Sequence, residues 1–259
     1  MKTIEFIGGG RITKIILRAF ENVGIAFEKL SVFDVNADTL QAINVKYPYV
    51  NVSDNMAESG KSDLVILAVH PPIVMEVLDK IKGNLPANAV IMSFSPKFTI
   101  EKISEVLGGH KNTARMNPSA SSIVNRGVNP IAFATSFDPI KKAEMLELFK
   151  SLGSTPEVAD SKIEAYAVIS AMGHTYFNFQ LQKLKELAVS FGMDEAEAKS
   201  TISNMLWGTT ETLFNSGLSY AEVADLVPLK PLGEVEGTIK DYYDVYLNAI
   251  YNKIKPQYN

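Results

Sequence analysis

The chain has 259 residues, 46% of them hydrophobic and 21% charged, with a formal net charge of -4. These are the proportions of a folded globular protein long enough for two domains. That charge gives no general attraction to nucleic-acid backbones or anionic membranes, and the lack of cysteine excludes disulfides, thiolate metal sites and a cysteine nucleophile. No apolar run reaches the roughly 18 residues of a membrane span and the start shows no secretory pattern, so a cytoplasmic protein is expected.

The first stretch, TIEFIGGGRITKIILRAF from Thr3 to Phe20, predicts a buried strand over Ile4, Phe6 and Ile7 and a break at Gly8-Gly9-Gly10. A helix follows, with Ile12, Ile15, Ile16 and Ala19 at helical spacing. Strand, glycine turn and helix form the unit that binds a dinucleotide. Gly8 permits the tight turn, Gly10 lets the backbone approach a pyrophosphate, and the helix start at Arg11 and Ile12 offers unpaired N–H groups to the phosphate charge. Thr13 stands where the G-x-G-x-x-G pattern has its third glycine. A second apolar run, Leu30 to Phe33, ends at Asp34, at a spacing that suits a carboxylate bonded to a ribose 2′-hydroxyl. Such a carboxylate repels a 2′-phosphate and favours NAD over NADP, while Arg11 is able to reach a phosphate and competes with it. Asp34 and Asn36 also read as the cap of a helix starting near Ala37, and the two roles are compatible.

Further along, strands are expected at Val50–Val52, Asp63–Val69, Ala89–Ser93, Thr113–Met116 and Asn129–Ala134. Between them lie a brief helix to Ser59 and helices at Ile73–Ile81, Ile100–Leu107 and Pro139–Leu152. This alternation predicts an α/β fold of Rossmann type, a doubly wound, mostly parallel sheet covered on both faces. Ligands then bind beyond the carboxyl ends of the strands, where Gly8 to Gly10, Asp34, the loop Ala68-Val69-His70-Pro71, Ser93 to Ser95 and Asn117 collect. From Lys162 onward only helices are expected: Ile163–Leu187 kinked at Gly173, Asp194–Phe214 with the single tryptophan Trp207, Tyr220–Leu226, and Glu234–Ile254. The division expected is a dinucleotide-binding domain over 1–158 and an all-helical dimerisation and substrate domain over 159–259.

Of the three histidines, His174 has the strongest claim to chemistry. It stands near a helix start, where N–H groups attract a carboxylate, and imidazole gives and takes a proton near neutral pH. His70 shapes the loop beside a nicotinamide, and His110 reads as a solvent loop residue. Ser170 reads either as a hydrogen-bonding partner of a substrate carboxylate or as a helix cap, and Asn117 either as a contact to the nicotinamide amide or as part of a turn. Lys230 reads as a solvated lysine or an anion contact, and Tyr242, Tyr243, Tyr246 and Tyr251 as packing residues. No cluster of histidines and carboxylates has metal-ligand spacing, so no metal is expected.

Several segments in order resemble the pyrroline-5-carboxylate reductase family. They are FIGGGRIT (Phe6 to Thr13), LAVHPPIVMEVL (Leu67 to Leu78) for the family's alanine-valine-lysine-proline run, and ARMNPSASSIVNRG (Ala114 to Gly127) for its arginine, methionine, proline and asparagine run. SAMGHTY (Ser170 to Tyr176) stands where the family has serine-glycine-serine-glycine-proline-alanine-tyrosine. The resemblance implies an N-terminal NAD- or NADP-binding domain, a helical domain that builds a homodimer, and reduction of a cyclic imine by hydride transfer. This chain departs from the pattern at His70 for lysine, at Ala171, Met172 and His174, and at Lys230 to Val235, where the family's serine-proline-glycine-glycine-threonine-threonine loop loses both threonines. Two other functions stay open: a dehydrogenase of a small keto or hydroxy acid, and a nucleotide-binding regulatory protein without turnover.

Overall fold

The computed structural model describes residues 1–256. In chain order the elements of its first part are β1 (Thr3–Ile7), α1 (Arg11–Val23), β2 (Lys29–Phe33), α2 (Ala37–Lys46), β3 (Asn51–Ser53) and β4 (Leu64–Leu67). They continue with α3 (Val74–Ile81), β5 (Val90–Ser93), α4 (Ile100–Val106), β6 (Thr113–Met116), β7 (Gly127–Val128), β8 (Ile131–Phe133), α5 (Pro139–Lys150) and β9 (Gly153–Ser154). The main sheet has the order β3-β2-β1-β4-β5-β6-β8. Every pairing in it is parallel except the last, β6 with β8.

The apolar strands are buried on both sides because each face of the sheet has its own core. In β4, Leu64 and Ile66 join a cluster with Ile16, Leu17, Phe20 and Phe149 of α1 and α5, while Val65 and Leu67 join Val74, Val77, Leu78 and Ile81 of α3. This is the period-two alternation of a strand serving two layers. The expected strand at Asn129–Ala134 is the shorter β8, which closes the sheet edge antiparallel to β6, and just before it an unexpected two-residue strand, β7, pairs with β9 outside the main sheet. Strand β4 is shorter than its apolar run because Ala68 to His70 turn into a short 3-10 helix at Pro71–Ile73.

The helical part contains α6 (Ile163–Tyr166), a π turn over Ala167–Ala171, α7 (Gly173–Ser190), α8 (Glu195–Asn215), α9 (Tyr220–Asp225) and α10 (Glu236–Ile254). The break before Gly173 is this π turn, closed by Met172 N–H donating to Ala167 O at 2.9 Å. Asp194 caps α8 in a reciprocal capping box with Glu197, and Ser219 does the same for α9 with Glu222. By contacts the chain divides into two compact units, Met1–Met172 with the chain from Ile250, and Gly173–Ala249. Among the described residues no helix is long and apolar enough to cross a membrane.

Candidate functional site: a dinucleotide crevice at the switch point of the sheet

Strand order reverses between β1 and β4, and there the chain leaves β1 through the three glycines. Gly8 has φ +110, a conformation that L side chains rarely adopt, and a Cβ on it would lie 2.6 Å from Ala68 O at the end of β4. Its N–H donates to Phe33 O (2.8 Å), and Ala68 N–H donates to Ile7 O (2.8 Å), so the turn is sewn to β2 and β4. Gly10 is the opposite case: it is exposed, and a Cβ there would meet nothing within 4 Å. It is the N-cap of α1, no side chain caps that helix, and no acidic residue lies in its first turn. The first N–H groups of α1 are thereby left for an external anion.

Thr13, at the third glycine's position, is fully buried and its hydroxyl donates to Gly8 O (2.5 Å). A small residue is still required there, and the threonine adds a bond that locks the turn. Asp34 at the end of β2 accepts from Gly9 N–H at 2.7 Å and from Asn36 N–H at 2.9 Å, while Asn36 caps α2 by accepting from Thr39 N–H at 2.8 Å. Asp34 therefore braces the glycine turn and the start of α2 together, and a carboxylate keeps lone pairs for a further donor.

A crevice of about 350 Å³ opens between these elements, lined by Gly8, Gly10, Asp34, Ala68, Val69 and His70 of the expected set. It is also lined by residues the sequence reading missed: Phe33, Val35, Met56, Ile73, Glu76, Val77 and Lys80. A signal for four of them was present, since Ile73, Glu76, Val77 and Lys80 fall at i, i+3, i+4 and i+7 on the helix that follows His70. Val35 is 84% exposed beside Asp34, an apolar side chain set at the crevice rather than in the core. Arg11, Ile12, Asn36, Pro71 and Asn117 are not among the lining residues: Arg11 is exposed on the first turn of α1, and Pro71 opens the 3-10 turn. A fold with glycines shaped as above, uncapped N–H groups and an acidic residue at the β2 end fits a dinucleotide.

Residues 3–96 match the family model described as NADP oxidoreductase coenzyme F420-dependent. The chain is 24% identical over 244 residues to the pyrroline-5-carboxylate reductase of Corynebacterium melassecola, covering 93% of this chain and 90% of that protein. It is 23% identical over 228 residues to that of Escherichia coli K12, covering 87% and 84%. The solved structure of Plasmodium falciparum pyrroline carboxylate reductase with NADP bound superposes with a TM-score of 0.81 at 20% identity, over 98% of this chain and 97% of that one. Over most of its length the chain is similar to pyrroline-5-carboxylate reductases, and it shares their fold.

At the lysine position of the pyrroline-5-carboxylate reductase pattern stands His70, exposed at the crevice, with its carbonyl accepting from Ile73 N–H (3.2 Å). The Arg-Met run of the same family pattern falls on β6, where the sequence reading gave Arg115 no role. Its side chain is fully buried, and its guanidinium bonds Asp160 at 2.7 Å and also Glu164, which is itself 1% exposed. Asp160 further accepts from Ile100 N–H at 3.0 Å. The cluster ties β6, α4 and α6 to one another. Just beyond it, the Nδ2 of Asn117 is enclosed and has no hydrogen-bond partner among the described residues, a donor left for something other than this chain.

Ser170 lies in the π turn and its hydroxyl donates to Tyr166 O at 2.7 Å, the back-bond to residue i−4. Its proton is committed, which leaves the hydroxyl only as an acceptor. His174 is half-buried in the first turn of α7. Because the chain enters α7 from the π turn and not from a loop, the open helix start expected at Ser170 to His174 is absent. His110, expected in solvent, is half-buried instead, its Nε2–H donating to Ala89 O at 2.8 Å. Within the helical unit, Tyr242, Tyr243 and Tyr246 are exposed and line an open apolar groove of about 470 Å³ with Tyr176, Phe179 and Ile239.

Proposed function

We propose that this protein is an NAD(P)H-dependent oxidoreductase of the cytoplasm that reduces a cyclic imine, pyrroline-5-carboxylate or a related imino acid, to the amino acid. The observation that carries the reading is the glycine turn, whose uncapped α1 start and bare Gly10 leave backbone donors for a diphosphate. The curated relatives, named as pyrroline-5-carboxylate reductases over most of their length, supply the reaction class. A bound nicotinamide supplies the hydride to the imine carbon. The chain's own part is to anchor the dinucleotide through Gly8, Gly10, Arg11, Ile12, Ala68, Val69, His70 and Pro71, to orient its amide with the orphaned Asn117 Nδ2, and to give one proton to the imine nitrogen. We assign that proton to His174, with Ser170 Oγ accepting from the N–H of the protonated imine; His174→Ala with an unchanged maximal rate removes the assignment. The dinucleotide-binding domain is taken as 1–158 and the substrate domain as 159–259.

NAD is favoured over NADP because Asp34 places a carboxylate where a 2′-phosphate would sit. Asp34→Ser should shift kcat/KM toward NADPH by about tenfold, about 1.4 kcal/mol; no shift removes the preference. The helical unit is proposed to build a homodimer, since Phe191, Trp207 and Phe214 are 80%, 69% and 75% exposed, more apolar surface than a lone chain ordinarily shows. Sedimentation equilibrium giving a monomer at micromolar concentration overturns this. The whole reading is tested by NADH and NADPH oxidation against cyclic imines and keto acids. Turnover with imines is expected; turnover confined to keto acids makes it a dehydrogenase of small keto acids, and tight dinucleotide binding without turnover makes it a regulatory protein.

A further inference from the structure

The loop from β5 to α4, Phe94 to Thr99, is anchored along its length. Phe94 N–H donates to Leu67 O (3.0 Å), Ser95 N–H to the buried Ser93 Oγ (3.2 Å), and Thr99 Oγ1 accepts from Lys102 N–H (3.1 Å). Its far end is held where Ile100 N–H meets Asp160 at 3.0 Å. Phe94 and Ser95 are buried and Pro96, Phe98 and Thr99 partly so; within the loop Lys97 alone is exposed. Lys97 also has φ 81, one of two non-glycine residues with positive φ among those described. A Cβ makes this conformation unfavourable, and the other such residue, Asn125, is of the type that tolerates it. A lysine held by its neighbours in a conformation suited to glycine is the kind of outlier that collects at functional sites.

Its place in the sheet gives the strain a purpose. The segments that leave the carboxyl ends of the six parallel strands are 8–10, 34–36, 54–55, 68–70, 94–99 and 117–119, and among them Lys97 is the single lysine or arginine. Arg11 begins α1 on the glycine side, and Arg115 is enclosed with two carboxylates. Ser170 has committed its proton to Tyr166. Lys80, the lysine that lines the crevice, is paired with Glu76 at 2.6 Å, so for a substrate carboxylate, an acceptor only, Lys97 is the cation that the strand-end segments offer, on the β5 side of the switch point and opposite in sheet order to Asp34.

We infer that Lys97 holds the carboxylate of the substrate and makes the enzyme select carboxylated imines over uncharged ones. The inference rests on the reductase reading, and the paired substrates separate the two. The experiment measures steady-state kinetics of Lys97→Met, Lys97→Arg and Lys97→Gly against 1-pyrroline-5-carboxylate and 1-pyrroline at saturating dinucleotide. Dinucleotide Kd and Tm are measured on the same proteins. Lys97→Met should raise KM for the carboxylated imine at least tenfold, with KM for 1-pyrroline and the dinucleotide Kd within twofold of the wild type. Lys97→Arg should restore most of the affinity. Lys97→Gly, free of the strained φ, should lose affinity like Lys97→Met without a lower Tm, which excludes misfolding as the cause. Equal KM values in wild type and Lys97→Met, an equal rise for both imines, or a change confined to dinucleotide binding overturns the assignment. If the wild type reduces neither imine, the reductase reading falls first and the assignment with it.

Discussion

Helix α1 buries five of its residues, Thr13, Ile16, Leu17, Ala19 and Phe20, whereas α7 buries only Gly173 and α8 only Ala198, although both are longer. Helix α1 lays one face on the sheet, and the strands beside it are closed by α3 and α4 on the other side. The sheet unit therefore satisfies its own apolar surface. Helices α7 and α8 carry apolar residues of similar kind but leave Phe177, Phe179, Leu184, Met205, Trp207 and Phe214 exposed. Apolar pattern forms helices in both regions; only in the first does a single chain also supply what covers them. The sheet unit thus has its binding edge built in, and the helical unit leaves an apolar surface open.

The comparison breaks first at the buried ion cluster. Arg115→Ala leaves Glu164 and Asp160 without their cation and should destabilise the sheet unit by about 3–5 kcal/mol in urea unfolding; a loss under about 1 kcal/mol would mean the cluster does not hold β6 to α6. Next is the glycine turn. Gly8→Ala forces a Cβ onto Ala68 O in an unfavourable φ, and should cost about 1–3 kcal/mol and at least tenfold in dinucleotide affinity. Unchanged calorimetric affinity would place the diphosphate elsewhere. The helical unit should respond in the opposite way. Tyr246→Glu, at an exposed position of the apolar groove, should leave the unfolding of the chain nearly unchanged yet weaken self-association about tenfold or more by sedimentation. A stability loss without a change in mass would reverse the contrast.

The smallest effect concerns pH. Asp63 is pushed upward by burial, but more strongly downward in sum by the N–H groups of Thr3 and Lys2, the Thr3 hydroxyl and the nearby amino terminus, so its carboxyl titrates below its ordinary value of 3.8. A depressed folded value contributes stability that is present above the unfolded value and lost as pH falls through the folded one. Asp63→Asn should therefore destabilise by less than ~1 kcal/mol at pH 7, since the group is largely solvated, and the difference from the wild type should close below about pH 4. A difference that persists at acid pH would show that the amide fails to keep the geometry of β1 and not that charge is the cause.

Most of the fold was legible because its signals are local. Runs such as Leu64–Leu67 have no polar face to expose, the glycines of β1 break a strand in a way few other residues do, and Asp194 with Glu197 announces a helix start. Asp34 and His70 were likewise readable as crevice residues, since strand ends in a parallel sheet share one edge. The exact strands at 127–133 were not, because a short apolar run does not say which neighbour it will pair with. The second half of the crevice lies on a helix whose stripe is apolar whether it faces a core or a ligand.

By itself the sequence determined the alternation of strands and helices, the dinucleotide turn and the change to an all-helical part, all of which follow from periodicity and from residues with special backbone freedom. The tertiary structure alone decided that Arg115 is enclosed by Asp160 and Glu164, that Thr13 replaces a glycine by bonding back to the turn, and that Lys97 is held out with positive φ. Each of these depends on groups far apart in the chain, or on a backbone angle imposed by anchors at both ends of a loop, and no local pattern records either.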